Sequence, residues 1–75
     1  MKELLKRITC NPLICSDKPC IKGTRIPVHM ILDLLAADED YASIKSAYPS
    51  IIDEDIRAAV AYRSYLADEE AGIAV

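Results

Sequence analysis

Apolar residues return at helical intervals along the second half of the chain. Val28, Ile31, Leu32 and Leu35 repeat at i, i+3, i+4 and i+7, which predicts an amphipathic helix with one buried stripe. Pro27 suits its first position, where a missing donor costs nothing. His29 and Asp33 share the opposite side. The acidic run Asp38–Asp40 breaks this helix. Asp40 is the expected N-cap of a brief second helix, in which Ile44 and Ala47 point inward with Tyr41 or Tyr48, and Pro49 ends it. A longer third helix follows, capped by Ser50 or Asp53, and runs to about Ala67. Its first turn holds Asp53, Glu54 and Asp55, whose carboxylates sit favourably at the positive end of the helix dipole.

The third helix carries two apolar bands. Ile56, Ala59, Val60 and Ala67 form the expected core stripe, and Ala58, Ala61, Tyr62 and Tyr65 form a second band beside it. A helix apolar nearly all round is normally buried on more than one side. Ala58, Ala61, Tyr62 and Tyr65 are therefore the expected dimer or partner interface.

Upstream the pattern is different. Between Arg7 and Val28 the chain is punctuated by Asn11-Pro12, Lys18-Pro19, Gly23 and Ile26-Pro27. Proline removes a donor and pushes its predecessor toward extended backbone, so no helix is expected there. "RITC", "PLIC" and "CIKGTRI" read as short strands with "SDKP" as a turn. Gly23, Thr24, Arg25 and Pro27 read as a stiff hinge between this segment and the helices. The start, "MKELLKRI", is short and amphipathic, and is expected to belong to the same soluble domain. The fold class is mainly α: a three-helix, homeodomain-like helix-turn-helix with a short N-terminal β arm or hairpin. It is organised as a basic extended arm (1–26), a helical body (27–67) and a C-terminal tail (68–75) within one domain.

Composition sharpens this picture in two ways. The 75 residues are 52% hydrophobic yet contain no Trp and no Phe, so the core must be aliphatic with Tyr. A chain this short often draws added stability from a disulfide, a metal or a second subunit. Cys10, Cys15 and Cys20 are odd in number and evenly spaced, unlike paired zinc ligands. Even with His29 beside them they predict no metal site. They read as small, reduced, apolar side chains in a cytoplasmic protein, which leaves homodimerisation as the favoured source of stability. No apolar run approaches the roughly 18 residues of a membrane span.

Charge is unevenly spread. Residues 1–25 hold six basic and two acidic side chains, while residues 26–75 hold three basic and ten acidic, for a net of −3. Such asymmetry predicts two working faces.

The motifs Asn-Pro, Lys-Pro-x-Ile-x-Gly-Thr-Arg-Ile-x-Val, Tyr-Pro-Ser and Asp-Ile-Arg-Ala-Ala-x-x-Tyr run from about Ile8 to Tyr65. In them the chain resembles the family called domain of unknown function 433. The resemblance implies a helix-turn-helix-like fold, found mainly in bacteria and archaea. It also implies an antitoxin role beside a small PIN-like ribonuclease. Three positions depart from the family pattern. Asp17 stands for a Gly before Lys-Pro. Asp38 stands where a Gly usually closes the first helix; if the left-handed geometry is kept, this costs about 1 kcal/mol. Ile52 replaces a Thr or Ser cap, shifting that duty to Asp53 or Ser50.

Catalysis is not expected. A single His allows no His-based triad, no cofactor motif is present, and the Cys residues lack an obvious base. Binding is the better reading. Lys18, Lys22, Arg25, Lys45, Arg57 and Arg63 are the candidate contacts to DNA or an acidic partner. DNA affinity requires several phosphate contacts, and the helical unit alone holds too few cations, so operator binding would need the N-terminal basic residues of a dimer. A PIN-like nuclease holds its metal in carboxylates, which "KPCIKGTRI" complements, although Arg25 could instead cap a helix or pair with Asp33. The reading is an antitoxin-like protein that restrains such a toxin, with operator DNA, bound as a dimer, as a second candidate partner. The alternative is a protein-interaction module without DNA affinity.

Overall fold

The change from proline-broken to helix-periodic sequence is the main joint of the molecule. The computed structural model describes residues 2–15 and 18–69. Helix α1 (Lys2–Leu5) leads into strand β1 (Ile8–Thr9), a helical turn α2 (Pro12–Cys15) and strand β2 (Cys20–Ile21). Helices α3 (Val28–Ala36), α4 (Tyr41–Ala47) and α5 (Asp53–Glu69) complete the order. The fold is mainly helical with one two-stranded antiparallel sheet, in which Ile8 faces Ile21 and Thr9 faces Cys20.

Two expected strands form and one does not. "PLIC" is a helical turn, because Asn11 accepts from the Leu13 amide through its side chain at 2.9 Å and Pro12 occupies the first helical position. An Asx cap followed by Pro starts a helix as readily as it breaks one. The expected turn at Ser16–Asp17, and the departure at Asp17, lie outside the described residues.

The helical body forms with small shifts. Pro27 is extended (φ −66°, ψ 143°) and precedes α3 as its N-cap. Asp40 caps α4 as expected, accepting from the Ser43 amide at 2.8 Å. Asp38 closes α3 with φ 68°. Around it the Glu39 amide donates to Leu34 O and the Asp38 amide to Leu35 O, both at 3.0 Å, which is the paired bonding of a Schellman cap.

Ile21, Val28, Ile31, Ile44, Ile51, Ile56 and Ala59 form the core, with Leu32, Leu35, Tyr41, Tyr48 and Tyr62 packed at its edge. Helices α3 and α5 each give two of these residues and α4 gives one, gathered around Ile21 of β2 with Ile51 from the α4–α5 turn. Ala47 and Ala67 are exposed, against the expectation that each faces inward. Val60, assigned by periodicity to the core stripe, is 45% exposed.

Helix α1 explains the difference. It packs on α5, as does β1, so the N-terminal segment lies against the helical body. Ala58 and Ala61 are consequently buried within the chain itself, at 0% and 4% exposure. These two are therefore removed from the expected interface. Tyr62 is half-buried, and Tyr65 remains 48% exposed.

Candidate partner-binding surface

The "KGTR" stretch is a tight loop held at both ends. The Ile21 amide donates to Ile26 O at 3.0 Å, and the Val28 amide donates to Pro19 O at 2.9 Å. Inside the loop the Thr24 hydroxyl donates to Ile21 O at 2.8 Å and accepts from the Ile26 amide at 3.0 Å. Gly23 turns the chain at φ 82°, and a Cβ there would meet nothing within 4 Å. Its requirement is thus conformational, not steric. The Lys22 amide donates to Arg7 O at 2.7 Å, which ties the loop to the residue before β1. Buried Ile21 and half-buried Ile26 anchor it to the core. The result is a rigid support for two exposed cations, Lys22 and Arg25.

The six candidate basic residues divide among three places. Lys22 and Arg25 stand on the loop, and no ion pair involves either of them among the described residues. Asp33, a potential partner for Arg25, instead lies 3.3 Å from His29 Nδ1 on the same helix. Lys18 and Arg63 flank a cleft of about 360 Å³ between α3 and the C-terminal half of α5. Pro19, Val28, Leu32, Tyr62 and Leu66 make its apolar lining, and His29 and Asp33 stand at its edge. Arg57 stands near the start of α5, and Lys45 reaches that helix start from α4.

That third location is dominated by carboxylates. The Lys45 ammonium sits 2.7 Å from Asp53 Oδ1, off the direction of a hydrogen bond, so it is a close charge contact. Arg57 approaches Glu54 at 3.9 Å. Buried Asp55 accepts from the Arg7 guanidinium at 3.1 Å through one oxygen and from the Ile52 amide at 3.0 Å through the other. Capping of α5 therefore comes from Asp55, not from Ser50 or Asp53. Asp55 reaches back three residues to the amide at the helix start, as the acidic member of a capping box does. The spacing of Ile52 and Asp55 carried that signal, and the missing Ser or Thr at 52 concealed it. Arg7, which completes the arrangement, had no sequence signal of its own.

Cysteine chemistry departs from expectation as well. Cys20 is buried and disulfide-bonded, not a free apolar side chain. Cys10 is free and exposed. Burial first, and then the neighbouring Cys10 thiol, push the Tyr62 phenol above its ordinary value of 10.0. Among the described residues, no three His, Cys, Asp or Glu side chains are grouped so as to hold a metal ion. None of the described helices is long and apolar enough to cross a membrane.

Residues 8–62 match the family described as Protein of unknown function (DUF433). The chain belongs to that family. The DUF433 match spans β1 to the middle of α5 and so includes the loop, the small sheet and the helical core. No curated protein and no solved structure matches the chain.

Proposed function

We propose that this protein is an antitoxin-like binding protein that restrains a PIN-like ribonuclease in the cytoplasm, without catalytic activity of its own. The observation that carries this reading is the Lys22–Arg25 loop, two exposed cations without carboxylate partners among the described residues, on a hydrogen-bonded turn. A nuclease centre built from carboxylates attracts such a loop, and a rigid presentation lowers the ordering cost of binding. The chain is acidic overall, with a net charge of −3, so the loop stands out as a local positive feature.

Nuclease assays test the proposal directly. The protein is expected to inhibit RNA cleavage by a PIN-like ribonuclease that co-purifies with it from its native cell. The double substitution Lys22→Glu, Arg25→Glu should weaken binding by about tenfold or more and restore cleavage. Inhibition unchanged by the double substitution would remove the loop from the mechanism, and absence of inhibition would remove the antitoxin role.

A second reading is a protein-interaction module without DNA affinity. It draws support from the start of α5, where Lys45, Arg57 and Arg7 are engaged by Asp53, Glu54 and Asp55. A recognition helix that offers carboxylates first repels phosphate. Operator binding at low salt, weakening steeply as salt is added, would favour the DNA-binding form of the antitoxin reading. It would require Lys18, Lys22 and Arg25 as its contacts.

A further inference from the structure

Cys20 sits where the small sheet and the basic loop meet. It starts β2, faces Thr9 of β1 in register, and forms an isolated bridge with Pro27 just before α3. One residue later the Ile21 amide begins the hydrogen-bonded turn that presents Lys22 and Arg25. The Cys20 side chain is 1% exposed and its sulfur is disulfide-bonded. A sheet of two residue pairs is marginal by itself. A covalent cross-link at this position therefore bears directly on how firmly β2 is held. In the cytoplasm proposed above, disulfides are rare, and those that form are mostly transient or redox-sensing.

We infer that the Cys20 disulfide is a redox-sensitive staple of the Lys22–Arg25 loop, holding it tightly when oxidised and loosely when reduced. The reductant is a dithiol. One of its thiolates attacks a sulfur of the disulfide, and a protein thiolate leaves and takes up a proton. The second dithiol sulfur then resolves the mixed disulfide. Two electrons have passed to the protein, which now holds two thiols, and the dithiol has become a disulfide. The freed Cys20 thiol has an acceptor in place, because Lys18 O lies 3.6 Å from its Sγ, within reach of a weak S–H donor. The buried sulfur is thus accommodated in both states, and what changes is the constraint on the chain. That constraint limits the locally opened chain as well as the unfolded one. Its loss falls first on the amides of Ile21, Lys22, Ile26 and Val28. Their bonds to Ile26 O, Arg7 O, Thr24 Oγ1 and Pro19 O hold the loop. A loop held less firmly loses part of the pre-organisation that favours binding. This last consequence rests on the antitoxin reading, whereas the loop's own response to reduction does not.

Amide hydrogen exchange on the full chain, with and without dithiothreitol, tests the staple at the loop itself and needs no nuclease. Alkylation in denaturant, read by mass spectrometry, reports the redox state: Cys10, which is free, should label before treatment and Cys20 only after it. Reduction should speed exchange at Ile21, Lys22, Ile26 and Val28 about tenfold or more. The rise should be smaller at Ala59, in the core on α5. Cys10→Ser should respond as the wild type does. Cys20→Ala, with its helix content checked by circular dichroism, should exchange at the reduced rate whether or not dithiothreitol is added. Labelling of Cys20 before treatment, loop amides indifferent to reduction, a rise no larger than at Ala59, or a response abolished by Cys10→Ser would each overturn the inference.

Discussion

Asp38 holds a backbone shape that suits glycine, and nothing in its side chain offsets the strain. Its φ of 68° places an L-residue in the left-handed region, where Cβ crowds the following carbonyl. The Schellman bonds to Leu34 and Leu35 keep it there. Asp38→Gly should therefore stabilise the protein by about 1 kcal/mol, read as a rise in the urea midpoint without a change of slope. Asp40, two residues on, shows the opposite relation between side chain and backbone. The Ser43 amide and hydroxyl lower its pKa from 3.8. A depressed carboxylate stabilises the fold above its unfolded pKa and loses that contribution as pH falls through the lower, folded value. Asp40→Asn should thus be less sensitive than wild type to acid below about pH 4, as followed by helical ellipticity. Tyr62 works at the other end of the scale. Its raised pKa favours the fold below pH 10 and withdraws that contribution as pH rises further.

Helix α5 shows most clearly what could and could not be read from the sequence. Its extent and its acidic first turn were both legible, because seventeen residues sustain a pattern. Which apolar residues meet which cover was not. The cover for Ala58 and Ala61 is α1, four residues long, too short for any periodicity to register and folded back from the far end of the chain. Val60 illustrates the same limit in reverse, since Ala59 beside it belongs to the core while Val60 faces outward. A one-residue difference is 100° on a helix, and composition alone does not resolve it. The Arg7–Asp55 contact fixes this arrangement by joining the turn between α1 and β1 to the start of α5 across 48 residues of sequence. Asp55→Ala removes that partner and the Ile52 amide acceptor together, and should cost about 2 kcal/mol. Arg7→Met, which keeps the aliphatic stem and leaves the cap, should cost less. If both cost the same in thermal denaturation, the pair and not the cap holds the helix start.

Among the described residues the central cluster of the core holds seven buried side chains, none larger than isoleucine. A domain of this length is stable by about 4 to 11 kcal/mol on general grounds, so each core position is a large share of the total. Ile31 is 0% exposed and shares one buried cluster with Ile21 of β2 and Ile56 and Ala59 of α5. Ile31→Val should cost about 1 kcal/mol, while Ile31→Ala should cost about 3 kcal/mol, read as a much lower midpoint in thermal denaturation. The charge pattern gives that comparison a second use. The loop cations depend on Ile21 and Ile26 for their positions, and both pack into this same core. Loss of core packing should therefore weaken the response to Lys22→Glu, Arg25→Glu, because an unanchored loop no longer presents its charges together. A double-mutant cycle in nuclease binding between Ile31→Val and the loop substitution measures that coupling. Full additivity would mean that the loop keeps its shape by its own hydrogen bonds, with the core beneath it serving stability alone.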